Sequence, residues 1–453
     1  YEMLLASPLK PSAILFGKLV ASLSHLAVLV FSSLPIVMLC LPLGGVSPYE
    51  VLAAYLGLLF SVLTFGMISV AASSYFQRTA SALVVSYLLI LPLALLGVLA
   101  WTVLSSNGSF RLLMVVTVLP AVCTTLCAIL FANTAARLLN PPDVGSEGQD
   151  VVDLEQELEE AVGLVIQRDQ FPDRLFAPAK RNDLMDDRAN PVYDKEIRSE
   201  IFSQGTLMLR VVIQVSMLLA IPLMAACLYI WPRYSGWYIS YVVLFNMLVG
   251  PVFSAGSVTG ERERQTLDLL LTTSLTPWQI LWGKFVAGLR VSSVLTMFLL
   301  WPLALACLLV AWYWNNLFAA AAYLGIVLVT CLTTAMLALF CSVVARKTSS
   351  SLMMTYSAIM ILFCAPLASS YFATNFFAKS EATRYVRQAG IISPLATVFQ
   401  VPLNLEDATQ EEQLAYRGSW PLVGQFVVVS IIFNIVLMGL MNWLFQSRWW
   451  VAR

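Results

Sequence analysis

Apolar residues in this chain come in long unbroken runs separated by short polar connections. Ten runs stand out, at roughly 13–42, 50–75, 80–104, 110–138, 206–231, 236–259, 279–312, 317–345, 350–375 and 421–446. Each reaches the roughly 20 residues that a helix needs to cross the hydrocarbon core of a bilayer. Strands of a membrane barrel would alternate apolar and polar residues over about ten positions, and these runs do not alternate. No acidic residue interrupts them except Glu50, at the start of one run beside the turn Ser47-Pro48. The pattern predicts an all-α, polytopic helical membrane protein with ten spans in this chain.

Composition narrows the class further. The 453 residues are 59% apolar and 11% charged, with 26 basic and 26 acidic side chains and a formal net charge of zero. Soluble domains carry about 25% charged residues, so this chain lacks the polar groups to cover a soluble surface. The same apolar content excludes disorder for most of its length. The eight cysteines all lie in apolar runs without metal-ligand spacing. Cys123 and Cys127, one helical turn apart, read as small buried hydrophobes. The single histidine, His25, leaves no cluster for a metal or a proton relay.

Basic residues orient the spans, because Lys and Arg concentrate in cytoplasmic connections. One set of connections holds Lys10, Lys18, Arg78, Arg137, Arg262, Arg264, Lys284, Arg346 and Lys347, and the opposite short ones hold only Arg111 and Arg233. The linker 139–205 and both chain ends then face the cytoplasm, and the loop 376–420 lies outside. A multi-pass protein of the plasma (cytoplasmic) membrane is expected.

An internal repeat is visible. Residues 1–23 align with 267–289 without a gap, and 11 of the 23 positions are identical, among them Pro11/Pro277, Gly17/Gly283 and Lys18/Lys284. Further on, Arg78-Thr79-Ala80-Ser81 aligns with Lys347-Thr348-Ser349-Ser350, with Tyr87 opposite Tyr356. Chance similarity between apolar runs would match Leu with Leu but would not place Pro, Gly, Lys and Tyr in register. Residues 1–138 therefore read as a first half and 206–453 as a second. Spans five and six have no partner in the first half, so that half is expected to lack two spans. The intact protein would have about twelve spans in two repeated halves of six.

The linker between the halves, 139–205, carries 16 acidic and 7 basic residues, so 7 − 16 = −9. Leu154, Leu158, Val162 and Val165 follow at helical spacing between acidic residues, as in a solvated amphipathic helix or a partner-docking one. At its end Asn190-Pro191 starts a helix well, with Asn as cap and Pro in the first turn. Tyr193, Ile197 and Ile201 recur on one face, and the pattern predicts an entry helix lying in the cytoplasmic interface, apolar side in lipid.

The segment 260–279 carries the functional reading. It runs from Gly260-Glu261-Arg262-Glu263-Arg264-Gln265 through Thr266-Leu267-Asp268-Leu269-Leu270-Leu271 to Thr276-Pro277-Trp278-Gln279. Its charged start would cost roughly 2.5–3.5 kcal/mol per Arg or Asp at mid-bilayer. Thr266 is placed to cap a short helix with Leu267, Leu269, Leu270 and Leu271. Thr276-Pro277-Trp278-Gln279 fits a capping box with Pro at the first helical position. A short, half-apolar helix held flat beneath the membrane would offer leucine knobs and charged edges to a cytoplasmic partner.

The stretch 260–289 closely resembles the cytoplasmic loop of type-2, exporter-type ABC permeases. The resemblance extends over 190–453, through Asn190-Pro191 with Lys195-Glu196-Ile197-Arg198 and through Ile392-Ser393-Pro394-Leu395, and residues 1–138 resemble the same family from that loop onward. Gln265 departs from the pattern, since such loops often have Gly before Thr. The resemblance implies a coupling helix that docks on an ATP-binding subunit. The implied docking residues are Glu261, Arg262, Glu263, Arg264, Thr266, Leu267, Asp268, Leu269 and Leu270, with Glu2, Met3, Leu4 and Leu5 for the first half. It implies no cofactor on this chain, with ATP and Mg on the partner, and two copies of that partner.

The chain has no phosphate-cradling G-x-x-x-x-G-K-[ST] loop. Gly17-Lys18-Leu19 and Gly283-Lys284-Phe285 lack both the upstream Gly and the following Ser or Thr. No enzymatic activity is expected here, and ATP hydrolysis is assigned to another chain. Arg290 and Asn246 are the candidate residues of a translocation path, although Arg290 reads more readily as a snorkelling side chain. The expected partners are the ATP-binding subunit, membrane lipid and an unidentified transported substrate, and no nucleic acid. Two other readings stay open: a secondary transporter driven by an ion gradient, and a non-transporting membrane scaffold for an ATPase. The former class usually shows intramembrane acids or basic relays, and this chain shows neither.

Overall fold

The computed structural model describes residues 10–40, 47–76, 79–103, 108–139, 190–198, 218, 220–376, 390–403 and 418–447. Among these residues there is no strand, and nine helical stretches are long and apolar enough to cross a membrane. They match nine of the ten apolar runs. The tenth, 206–231, lies mostly outside the described residues, with a shorter apolar helix at Ala220–Ile230. The chain is therefore an all-α polytopic membrane protein.

Two compact units divide the chain, Tyr1–Ile166 with Leu207–Leu219, and Gln167–Thr206 with Ala220–Arg453. The first unit contains α1 (Pro11–Cys40), α2 (Pro48–Tyr75), α3 (Thr79–Val103) and α4 (Leu119–Leu139), the last preceded by a π-turn at Met114–Val118. Ser47 starts α2 as the sequence suggests: its hydroxyl accepts from the backbone of Glu50 at 3.3 Å, with Pro48 in the first turn. Helix α2 packs on α1, α3 and α4. Leu15, Leu19 and Met67 form a small core there, joined by Leu23, Leu63 and Phe131.

In the second unit the elements are α5 (Pro191–Arg198), α6 (Ser235–Ala255), α7 (Thr259–Glu263), α8 (Leu267–Leu271), α9 (Pro277–Leu309), α10 (Leu317–Val344), α11 (Thr348–Ile359), α12 (Ala365–Phe376), α13 (Pro394–Val398) and α14 (Trp420–Gln446). A π-turn at Met360–Cys364 joins α11 to α12. Helix α6 lies at the centre, packed on α9, α10 and α11, and α10 also meets α9, α11 and α14.

Two prolines lie inside helices of this core, Pro251 in α6 and Pro302 in α9. A proline removes one helical donor and loosens carbonyls in the turn before it. In a bilayer those carbonyls must find partners inside the protein. Tyr356 of α11 donates its hydroxyl to the carbonyl of Leu248, three residues before Pro251, at 2.7 Å. Tyr238 of α6 does the same for Leu299, three residues before Pro302, also at 2.7 Å. Both carbonyls are thus met by tyrosines from neighbouring helices.

Candidate docking site

The segment joining α6 to α9 is built as two short helices with a tight turn between them. Helix α6 ends at Ala255, and the next backbone donors are caught by a neighbour. The N–H groups of Val258 and Thr259 donate to the hydroxyl of Ser342 on α10, at 3.0 and 3.1 Å. Helix α7 follows directly, so its position relative to α10 is set by a buried side chain.

The charged residues of α7 are used within the chain. Arg262 donates to the carbonyls of Val343, at 2.8 Å, and Ala345, which are among the last of α10. A guanidinium at a helix C-terminus satisfies orphan carbonyls and complements the helix dipole. Glu263 turns to the other side of the same connection. Its carboxylate accepts from the backbone N–H of Thr348 at 2.8 Å and from the Thr348 hydroxyl at 2.9 Å, where α11 begins. A carboxylate is favoured at that end of a helix. The pair therefore stitches α7 to both ends of the α10–α11 turn.

Glu261 faces the opposite way, into a cluster of charges. It pairs with Lys195 of α5 at 2.8 Å and with Lys284 of α9 at 3.6 Å, and it accepts from the hydroxyl of Thr266. Lys284 is 1% exposed. Its ammonium also pairs with Glu196 of α5 and donates to the Ser257 carbonyl at 2.8 Å. All three donor positions of the ammonium thus face oxygen, as a buried cation requires.

Helix α5 lies across the start of α9. Asn190 caps it by accepting from the backbone of Val192 at 3.0 Å and Tyr193 at 3.4 Å, and its amide donates to the Gln279 carbonyl at 2.8 Å. The close approach depends on Gly283. A Cβ there would lie 3.1 Å from both the Asn190 side chain and the Tyr193 backbone. The hydroxyl of Tyr193 accepts from Arg290 at 3.1 Å, and Val192 is buried. The sequence reading placed the apolar side of this helix in lipid. Its described part instead turns Val192 and Tyr193 into the protein, because the gap at Gly283 admits them. The side chain of Ile197, and Ile201, lie outside the described residues.

The turn between α7 and α8 centres on Gln265, the one non-glycine residue with positive φ, +57°, among the described residues. This is the position where the resembling loops often carry Gly. Thr266 stands at the cap position of α8, but its hydroxyl does not cap the helix. It donates to the Glu261 carboxylate instead, and no backbone N–H of α8 donates to it. The expected capping role of Thr266 is thereby corrected. The capping box at the start of α9 forms as the sequence indicates, with Thr276 and Gln279 exchanging bonds at 3.0 and 3.3 Å.

Helix α8 splits its leucines. Leu267 is 5% exposed and faces inward, while Leu269 is 68% exposed and Leu270 is half-buried. Arg264, Gln265 and Asp268 are exposed beside Leu269. Of the nine second-half residues singled out from the sequence, Glu263, Arg264, Asp268, Leu269 and Leu270 thus offer surface. Glu261, Arg262, Glu263, Thr266 and Leu267 hold that surface in place. Glu2, Met3, Leu4 and Leu5 lie outside the described residues.

The two path candidates lie elsewhere. Asn246 is 0% exposed, and its amide is spent between helices. It donates to Thr296 of α9 at 2.9 Å and accepts from Thr334 of α10 at 3.1 Å. Arg290 is the donor to Tyr193 already described. Sequence reasoning missed Ser342, Thr348 and the roles of Lys195, Glu196 and Lys284. The available signals were Lys284 and Thr348 recurring in the repeat as Lys18 and Thr79, and Lys195-Glu196 within the resembling stretch.

A family model described as an ABC-2 family transporter protein matches residues 109–448. No curated protein and no solved structure matches the chain.

Proposed function

Because the chain belongs to the ABC-2 family of transporter proteins, we propose that it is the membrane-spanning permease of an ATP-driven exporter that draws its energy from a separate ATP-binding subunit. The chain itself catalyses nothing in this reading. ATP and Mg are bound by the partner, two copies of which serve the two halves. Nucleotide-driven closure of the partner pulls on the α7–α8 segment, and the spans attached to it rock.

One observation carries the reading. The α7–α8 segment is fastened on its inner side to α5, α9, α10 and α11, while Leu269 stands 68% exposed on its outer side. An exposed leucine on a rigid, charged-edged knob suits insertion into an apolar cleft of another protein. A force applied to it would pass directly into four membrane-crossing or interfacial helices.

Co-purification of the full-length protein with cytoplasmic ATPases tests this, comparing wild type with Leu269→Asp/Leu270→Asp. Capture of an ATP-binding subunit by wild type, lost in the variant, is the expected result. Intact wild type that retains no ATPase would turn the reading towards gradient-driven transport. Capture that survives the double substitution would move the docking site off α8.

A further inference from the structure

At the end of α9 far from the docking segment, the chain turns back into α10 through a 3-10 turn, Ala311–Asn316. By the distribution of basic residues this end faces away from the cytoplasm. A cavity of about 380 Å³ lies here, lined by Asn315, Asn316, Phe318, Ala319, Pro402 and Trp420. Its size falls at the small end of ligand pockets, which span roughly 300–1,000 Å³. The walls are fixed from behind. Tyr313 in the turn is 1% exposed, and its hydroxyl donates to the Leu228 carbonyl at 3.2 Å. Asn316 is buried, and its amide donates to the Trp312 carbonyl at 3.1 Å. On the opposite side Gly418 lies against the chain at 400–402. A Cβ there would fall 2.5 Å from the Gln400 carbonyl oxygen, and the Ser419 N–H donates to that same oxygen at 3.0 Å. Pro402 and the start of α14 at Trp420 are thereby held together.

The lining defines what fits. Phe318, Trp420 and Pro402 supply three flat rings, Asn315 and Asn316 supply two primary amides, and no charged side chain lines the cavity among the described residues. Asn315, Phe318 and Trp420 are exposed, so the cavity is open to solution. An anionic headgroup would find no cation here. An acyl chain would strip water from the asparagine amides and give them nothing to bond. A neutral peptide would engage the amides but has no broad C–H face for the rings. An uncharged ring with a C–H face and a rim of hydroxyls satisfies both sets of groups. Its C–H face rests on the aromatic rings, which bury apolar area at little cost in freedom. A primary amide offers a donor and an acceptor to neighbouring hydroxyls.

We propose that the cavity between the α9–α10 turn and the start of α14 is a binding site for a neutral pyranose sugar. Trp420 and Phe318 are its stacking faces, and Asn315 pairs with the ring hydroxyls. A sugar carried as a lipid headgroup and a sugar free in solution present the same ring, and the test separates the two. The inference does not depend on ATP coupling, and it stands or falls separately from the docking of an ATPase.

Ligand-observed saturation-transfer NMR on the full-length protein in lipid nanodiscs tests it. The free probes are the methyl pyranosides of glucose, galactose, mannose and N-acetylglucosamine, with hexanol and glucuronate as apolar and anionic controls. For the lipid-borne ring, nanodiscs containing glucosyl- or galactosyl-diacylglycerol are read by native mass spectrometry. Saturable binding of at least one pyranoside, free or lipid-borne, is expected, with transfer to its ring C–H protons and none to the controls. Trp420→Ala and Phe318→Ala should each weaken it about tenfold. Both side chains are exposed, so both variants should keep a wild-type melting profile. If Trp420→Ala fails to fold, Phe318→Ala carries the comparison. Binding of the lipid-borne ring alone would assign a headgroup, and binding of the free ring a soluble sugar. Saturable binding of no pyranoside in either form would overturn the proposal. So would hexanol binding as well as the sugars, or binding unchanged in the variants. Binding that appears only when residues 405–416 are replaced by a short Gly-Ser linker would make that stretch the occupant and overturn it too.

Discussion

The ammonium of Lys284 on α9 is paired with the carboxylate of Glu196, 88 residues earlier in the chain, and the same ammonium lies 3.6 Å from Glu261 in the α7–α8 segment. One buried cation thus joins the entry helix to the docking segment. Lys284 therefore holds that segment from inside the protein. Replacing it by Met would remove the cation that the two carboxylates share, leaving Lys195 on Glu261. Breaking a buried pair from one side costs about 3–5 kcal/mol. Lys284→Met is expected to lower the thermal midpoint of the purified protein sharply. Lys284→Met/Glu196→Gln should recover part of the loss, because it removes one of the two carboxylates that shared the cation. A single variant as stable as wild type would show that the pair holds nothing.

Gln265 occupies the left-handed region at φ +57°, where a side chain costs roughly 1–2 kcal/mol relative to glycine. Gln265→Gly is therefore expected to stabilise the protein by about 1 kcal/mol, after the extra freedom glycine gives the unfolded chain. Gln265→Val should destabilise it, because branching at Cβ worsens the same clash. Denaturation midpoints of the two variants, moving in opposite directions, would carry the argument. Equal midpoints would remove it.

Leu267 and Leu269 are two residues apart and face opposite ways. Leu267→Asp forfeits about 2 kcal/mol of apolar burial before its buried charge is counted. It should reduce the yield of folded protein. Leu269→Asp alters only exposed surface, so it should purify with a wild-type melting profile and yet fail to retain the ATP-binding subunit. Loss of folding in Leu269→Asp would contradict its placement on the outer face.

Asn246 bonds Thr296 and Thr334 across two helix contacts. Interhelical hydrogen bonds in membrane proteins average about 0.6 kcal/mol each. The threonine hydroxyls also donate to their own helices, Thr296 to the Ser292 carbonyl and Thr334 to the Cys331 carbonyl, so Asn246→Ala strands neither of them. The expected loss is about 1 kcal/mol, the sum of two such bonds, with transport retained. Abolished transport at unchanged stability would instead make Asn246 a path residue.

Much of the candidate site was legible before any coordinates. Asn190-Pro191 and Thr276-Pro277-Trp278-Gln279 announced helix starts because caps are local: donor and acceptor lie within three residues of each other. The resemblance over 260–289 singled out the candidate docking segment. It did not sort that segment's residues into inner and outer ones. A five-residue helix is too short for periodicity to fix a face, so Leu267 and Leu269 looked alike. Thr266 looked like a cap because the local rule does not see Glu261 folded back towards it. Lys284 was counted with the cytoplasmic basic residues, since its partners Glu196 and Glu261 sit in two other segments.

The sequence by itself determined that this protein is a bundle of membrane-crossing helices. Apolar runs of this length have one low-energy arrangement in a bilayer, whatever their neighbours do. It also set the helix starts, the placement of the charged segment outside the hydrocarbon core, and the recurrence of Pro, Gly and Lys in α1 and α9. Only the tertiary structure decided which charges hold the docking segment and which face outward. It also decided that Tyr238 and Tyr356 meet carbonyls in the turns before the two prolines, that Asn246 ties three helices together, and that Lys284 is sealed while Lys18 is exposed. Each of these depends on groups brought together from distant parts of the chain, and local pattern carries no information about such distances.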